Sequence, residues 1–164
     1  MQIFLKLLVY IASVWVSSKY AAGYWVVGPV FGAAVIASQW PQTKTNLKRA
    51  AVFIATSTLV YALVYHLSNL KWGKSSSGFV EYFLGPFPIA IIVGSILLPW
   101  AHALILKRSS ATAWRMAFSL SASFYAVSLL AYFNQERGIG PSISWLLPMI
   151  AIWQGVYLLL SETP

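Results

Sequence analysis

Residues 84–106 read LGPFPIAIIVGSILLPWAHALIL, a run with no Asp, Glu, Lys or Arg that stops at Lys107-Arg108. At 1.5 Å per residue a helix of this length crosses the roughly 30 Å hydrocarbon core of a bilayer with some tilt to spare. Gly85-Pro86 at its head is a helix-start signal, because proline at the first helical position loses no hydrogen bond that was available to it. The stretch reads as a membrane-spanning helix, and the remainder of the chain is read outward from it.

On its amino-terminal side lies the longest polar loop, 69–83, with Lys71, Lys74, Ser75-Ser76-Ser77 and Glu81, and before that an apolar run over 50–68. A cationic loop over 41–49 separates this run from two shorter apolar segments, 21–40 and 2–18, which join at Ser17-Ser18-Lys19. On the carboxyl-terminal side a second cationic loop, 107–115, leads into an apolar run over 116–133, a polar turn over 134–142 and a last run over 143–160. The fold class is therefore expected to be all-α, a polytopic transmembrane helical bundle of six spans in one integral membrane domain over 1–164. Five spans remain if the first segment lies at the interface. That segment also has the outline of a signal peptide, but Tyr20-Ala21-Ala22-Gly23 is a poor cleavage site and the segment is expected to be retained.

Composition agrees with this reading. Of 164 residues 59% are hydrophobic and only 9% charged, against about 25% charged in an ordinary soluble domain. Eleven Lys and Arg against three acids give a net charge of +8, and the cations gather at span ends. Cationic loops resist translocation, so Lys6 and the loops 41–49 and 107–115 are expected to face the cytoplasm. This puts both termini inside a bacterial-type inner membrane. Nucleic acid is excluded as a partner because the cations form no aromatic-interleaved basic face. With no cysteine there is neither a disulfide framework nor a thiolate metal site.

Gly-Pro pairs at Gly28-Pro29, Gly85-Pro86 and Gly140-Pro141 are 57 and 55 positions apart, each at the outer end of an even-numbered span. They suggest three repeated helical hairpins. Gly28 and Gly32, with Ala33 and Ala37, give span two small-residue faces for close helix packing.

Few residues carry chemistry. A haem held by two histidines needs both at one depth, but His66 and His102 differ by roughly 17 Å at helical rise, and both read as interfacial. Gln154 is different, since a polar side chain at membrane depth is costly and normally faces the bundle interior or a wet cavity. Counted from the inner helix ends, Gln154, Ser57 and Ser123 lie at similar depths, roughly 9–11 Å. Trp153 also falls near mid-depth, away from the headgroup belts that Trp40, Trp100 and Trp114, and Trp15, Trp25, Trp72 and Trp145, should form. Its indole N–H needs an acceptor there. Trp153, Gln154, Ser57 and Ser123 are therefore the candidate ligand-binding residues, with interhelical hydrogen bonding as the competing use of the same groups.

No acid lies within a span, no HExxH, GxSxG or phosphate-binding loop occurs, and the serines lack a buried acid and base to complete a triad. The expectation is a non-catalytic membrane protein without cofactor or metal. As partners it would have the lipid bilayer, other membrane subunits and a small apolar or amphipathic ligand. Its role would be that of a small transport or ligand-binding subunit; the alternatives are an accessory subunit of a larger membrane complex and, more remotely, a lipid-modifying enzyme.

Overall fold

The computed structural model describes residues 2–19, 24–40, 46–70, 85–136 and 146–161. Six helices fill these segments: α1 (Gln2–Lys19), α2 (Tyr24–Ser38), α3 (Leu47–Ser68), α4 (Pro86–Leu106), α5 (Ser110–Glu136) and α6 (Leu146–Ser161). No strand occurs among the described residues. All six expected helices are present, with shifted ends.

The shifts have local causes. Helix α3 starts at Leu47, so Lys48 and Arg49 belong to its first turn and not to a loop. Asn46 makes this possible, because its side-chain oxygen accepts the Arg49 backbone N–H at 3.1 Å, one of the donors a helix start leaves unpaired. Helix α5 likewise begins at Ser110 instead of 116 and runs to Glu136. Ser109 holds its start, accepting the Thr112 backbone N–H at 3.1 Å and sharing a 2.8 Å hydrogen bond with the Thr112 hydroxyl. The expected cationic loop 107–115 is thereby reduced to a tight corner. Lys107 turns it in a left-handed conformation (φ 57°), and the backbone N–H groups of Lys107 and Arg108 both close on the Ala103 carbonyl.

The Gly-Pro pairs are not equivalent in the fold. Gly85 caps α4 and Pro86 is its first residue, as read from the sequence. Gly28-Pro29, in contrast, lies inside α2, which already begins at Tyr24. Gly140-Pro141 falls outside the described residues. Small residues were selected at Gly28 by packing: a Cβ there would stand 2.5 Å from the Thr58 Cα, and one at Gly32 would collide with the Ser57 hydroxyl and come within 2.9 Å of the Ile54 Cα. This is close approach of two helix backbones through a glycine face. Ala33, the start of the second small-residue face, is exposed.

Each helix packs on its chain neighbour, and α6 closes the ring on α1 while also touching α2. Gly28 faces Thr58 and Gly32 faces Ile54, while Gly94 faces Val64 and His102 faces Phe53. Numbering thus runs in opposite directions across α2–α3 and α3–α4, and these neighbours are antiparallel. By contrast, Ser95 pairs with Trp153 and His102 with Tyr157, so α4 and α6 run the same way. The core is the space where α2, α4 and α6 approach one another, filled by Phe31, Val35, Leu98 and Tyr157 and flanked by Phe53, Met116 and Leu120 from the odd helices.

The outer surface is apolar, and polar groups are set among the apolar side chains of the interior. Leu59 (70%), Leu104 (73%), Phe118 (77%) and Leu159 (74%) are exposed on four different helices, whereas Ser13, Ser17, Gln39, Ser57, Ser95, His102 and Gln154 are buried. Helices α3 and α4 are long and apolar enough to cross a membrane; the apolar parts Leu7–Ser17, Trp25–Ser38 and Ala151–Leu160 of α1, α2 and α6 are shorter.

Candidate functional site

Helix α6 supplies the middle of the site through adjacent residues that point to different neighbours. Trp153 leans into the core, where its ring centre lies 5.6 Å from that of Phe31, 5.8 Å from Tyr157 and 6.3 Å from Tyr61. Its indole N–H donates to the Ser95 hydroxyl oxygen on α4 at 2.9 Å. The acceptor demanded by the sequence thus comes from a neighbouring helix. Gln154, one residue or about 100° further round the helix, is fully enclosed and faces α1. Its side-chain oxygen accepts from the Ser13 hydroxyl at 3.0 Å and its nitrogen donates to the Ser17 oxygen at 2.8 Å.

Helix α1 answers with a matching stripe. Tyr10, Ser13 and Ser17 stand at i, i+3 and i+7 and so share one face. The Tyr10 hydroxyl donates to the Ala151 carbonyl at 2.9 Å and passes over Gly155, where a Cβ would meet it at 3.3 Å. The stripe is readable in the sequence once Gln154 is known to be its partner; alone, hydroxyls near a helix end are too common to single out.

Toward the end of the bundle that carries Lys107 and Arg108, a second buried polar group is centred on His102. This histidine, expected near the span end, is enclosed between helices there and is 1% exposed. One ring nitrogen, Nε2, lies 3.3 Å from the side-chain nitrogen of Gln39, and the other, Nδ1, lies 3.1 Å from the Tyr157 hydroxyl. Phe53 covers the ring edge-on at 5.5 Å. Gln39 is itself 3% exposed, and its oxygen accepts from the Arg108 guanidinium at 3.5 Å. His66, expected at the opposite end, is exposed there with its ring against Tyr65, in keeping with an interfacial position.

The four residues singled out from sequence separate into two pairs. Trp153 and Gln154 reach the core, as inferred from their depth. Ser57 sits on the α2–α3 seam, its single hydroxyl hydrogen facing the carbonyls of Gly28 and Ile54, both at 2.8 Å. Ser123 turns back on the Leu120 carbonyl of its own helix at 2.9 Å. The common level of Gln154, Ser57 and Ser123 therefore does not make one polar cluster. The groups that do gather around Trp153 and Gln154 are Ser13, Ser17, Tyr61 and Ser95, with His102, Gln39 and Tyr157 below them.

Of the tryptophans expected in headgroup belts, Trp15, Trp25, Trp40 and Trp114 are exposed, and Trp100 stands edge-on to Trp114 at 5.6 Å. Trp72 and Trp145 lie outside the described residues.

Comparison with known proteins finds no family model, no curated protein and no solved structure that matches this chain.

Proposed function

We propose that this chain is a six-span integral protein of a bacterial-type inner membrane, termini and cationic corners on the cytoplasmic side, acting as a non-catalytic transport or binding subunit for a small amphipathic molecule. The observation that carries the membrane reading is the apolar outer surface of the bundle, with large apolar side chains on the outside of α3, α4, α5 and α6, while hydroxyls, amides and an imidazole are enclosed within it. In water such a surface would be an extended apolar patch of the kind that associates or aggregates; in hydrocarbon it is the favourable arrangement, and the hydrogen-bonding groups must then turn inward.

The binding role is supported by what the interior contains. Polar and ionisable groups inside a membrane bundle are expensive and commonly mark a ligand or ion path. Here they stand beside Phe31, Tyr61, Trp153 and Tyr157, whose rings pack on one another, surroundings that suit a molecule with both an apolar body and a hydrogen-bonding group. The test is native mass spectrometry of the protein extracted in mild detergent. A small molecule that travels with the wild type and is lost from Trp153→Leu with Gln154→Leu supports the role; a wild-type chain that carries nothing but bulk lipid, with the variant indistinguishable from it, overturns it.

The accessory-subunit reading is favoured by a different observation. No buried side-chain nitrogen or oxygen among the described residues lacks a partner, which is what purely helix-joining hydrogen bonds require. Obligate co-extraction with larger membrane subunits, and a bundle empty of ligand, would decide for that reading.

A further inference from the structure

The His102 group lies outside the residues the sequence singled out, and its hydrogen bonds have a forced direction. Arginine can only donate. The guanidinium of Arg108 therefore faces the Gln39 oxygen (3.5 Å), which turns the Gln39 amide N–H₂ toward His102. His102 Nε2 must then accept, so the ring proton is on Nδ1 and is donated to the Tyr157 oxygen at 3.1 Å. Tyr157 is left to donate its own proton, and the Leu98 carbonyl lies 3.4 Å away to receive it. One polarity runs from Arg108 at the end of the bundle to a backbone carbonyl in its core, and every member has a single consistent role.

This chain of bonds ties together the three helices that run parallel. Gln39 follows α2, His102 and Leu98 belong to α4, and Tyr157 belongs to α6. Two turns further in along α4 sits Ser95, holding Trp153. We infer that Gln39, His102 and Tyr157 form a clasp that closes the Arg108 end of the space between α2, α4 and α6, and that access from that end to the Trp153 region requires its release. The inference rests on the binding role proposed above, since a closure has a purpose only if something passes it.

Two geometric points support a closing device over a permanent joint. The α2–α3 contact is a close approach of backbones at Gly28 and Gly32, with the Ser57 hydroxyl bonded to the Gly28 carbonyl across it. The polar contact of α2 with α4 and α6 at this end is made instead by an amide, an imidazole and a phenol, beside the apolar side chains of Val35 and Leu98, and rotation of side chains breaks it. The outermost bond, Arg108 to Gln39, is also the longest of the set, at the limit of hydrogen-bonding distance, and sets the release point at the bundle end.

The natural absence of cysteine allows a direct test in sealed membrane vesicles. Ser95→Cys places one thiol behind the clasp, and a membrane-impermeant maleimide is applied to one face at a time, using vesicles of each orientation. With the clasp intact the thiol should react slowly. Adding Gln39→Leu or His102→Phe should raise the labelling rate about tenfold or more from the Arg108 face and leave it unchanged from the other. Equal rates with and without these changes overturn the clasp. If His102→Phe unfolds the bundle, labelling rises from both faces together; Tyr157→Phe, which removes only the hydroxyl, then decides, with a rise confined to the Arg108 face expected and no rise overturning the inference. Ligand retention by native mass spectrometry is read separately. Face-specific labelling without a bound molecule would sink the binding role and keep the clasp, and a bound molecule with unchanged labelling would do the reverse.

Discussion

Single residues in this bundle act through how closely they let helices approach and which hydrogen bonds they complete. Gly28 and Gly32 have no room for a methyl group, since backbone atoms of α3 occupy the space. Gly28→Ala must therefore separate α2 from α3, and overpacking of this kind costs about 1–3 kcal/mol; thermal unfolding in detergent should show the corresponding drop in midpoint. Gln154→Leu leaves the hydroxyls of Ser13 and Ser17 without their shared partner. Interhelical hydrogen bonds in membranes average about 0.6 and reach nearly 2 kcal/mol, so a loss of about 1–3 kcal/mol is expected on the same measurement, with proteolytic release of α1 increasing. Lys107 offers the opposite sign. It holds a left-handed conformation (φ 57°) that costs a side-chain-bearing residue roughly 1–2 kcal/mol and glycine almost nothing, so Lys107→Gly should stabilise the protein by about 1 kcal/mol, read as a raised midpoint.

At the scale of elements, local chemistry sets where helices begin and neighbours set which face is buried. Asn46 and Ser109 extend α3 and α5 beyond their apolar runs by capping the first turn. Asn46→Ala should cost about 1 kcal/mol and fray the turn that carries Lys48 and Arg49, seen as faster amide exchange at residues 47–50 with little change elsewhere. Both caps are visible in the sequence as Asn or Ser before a helical run. Hydropathy alone passes over them because the charged first turn resembles a loop. Helix α1 shows the converse. Its apolar part, Leu7–Ser17, is short, and whether it joins the bundle depends on α6, which presents Gln154, the Ala151 carbonyl and the bare surface of Gly155 to Tyr10, Ser13 and Ser17.

The described residues form a closed ring of six helices with an apolar outer surface and an apolar core in which buried polar groups are set. The proposed orientation is checked by single cysteines at Asn69 and Ala111, which are exposed at opposite ends. In sealed right-side-out vesicles the first should react with an impermeant reagent and the second should stay protected; reversed or equal labelling would refute the orientation. The order, number and approximate position of the helices were legible in the sequence, because run length, prolines and caps act over a few residues along the chain. So were the inward facing of Trp153 and Gln154 and the glycine face of α2. What the sequence could not decide was direction around each helix axis. Counting residues from a helix end fixes height, but a step of one residue turns a side chain by about 100°, and the facing that results depends on which helices stand beside it. That is why Ser57 belongs to the α2–α3 seam and Ser123 turns back on its own helix, and why His102, near a helix end and a cationic corner, is enclosed by its neighbours. Only the closure of α2, α4 and α6 on one another brings Gln39, His102 and Tyr157 into contact, because each of these groups needs the other two helices to leave water or lipid behind.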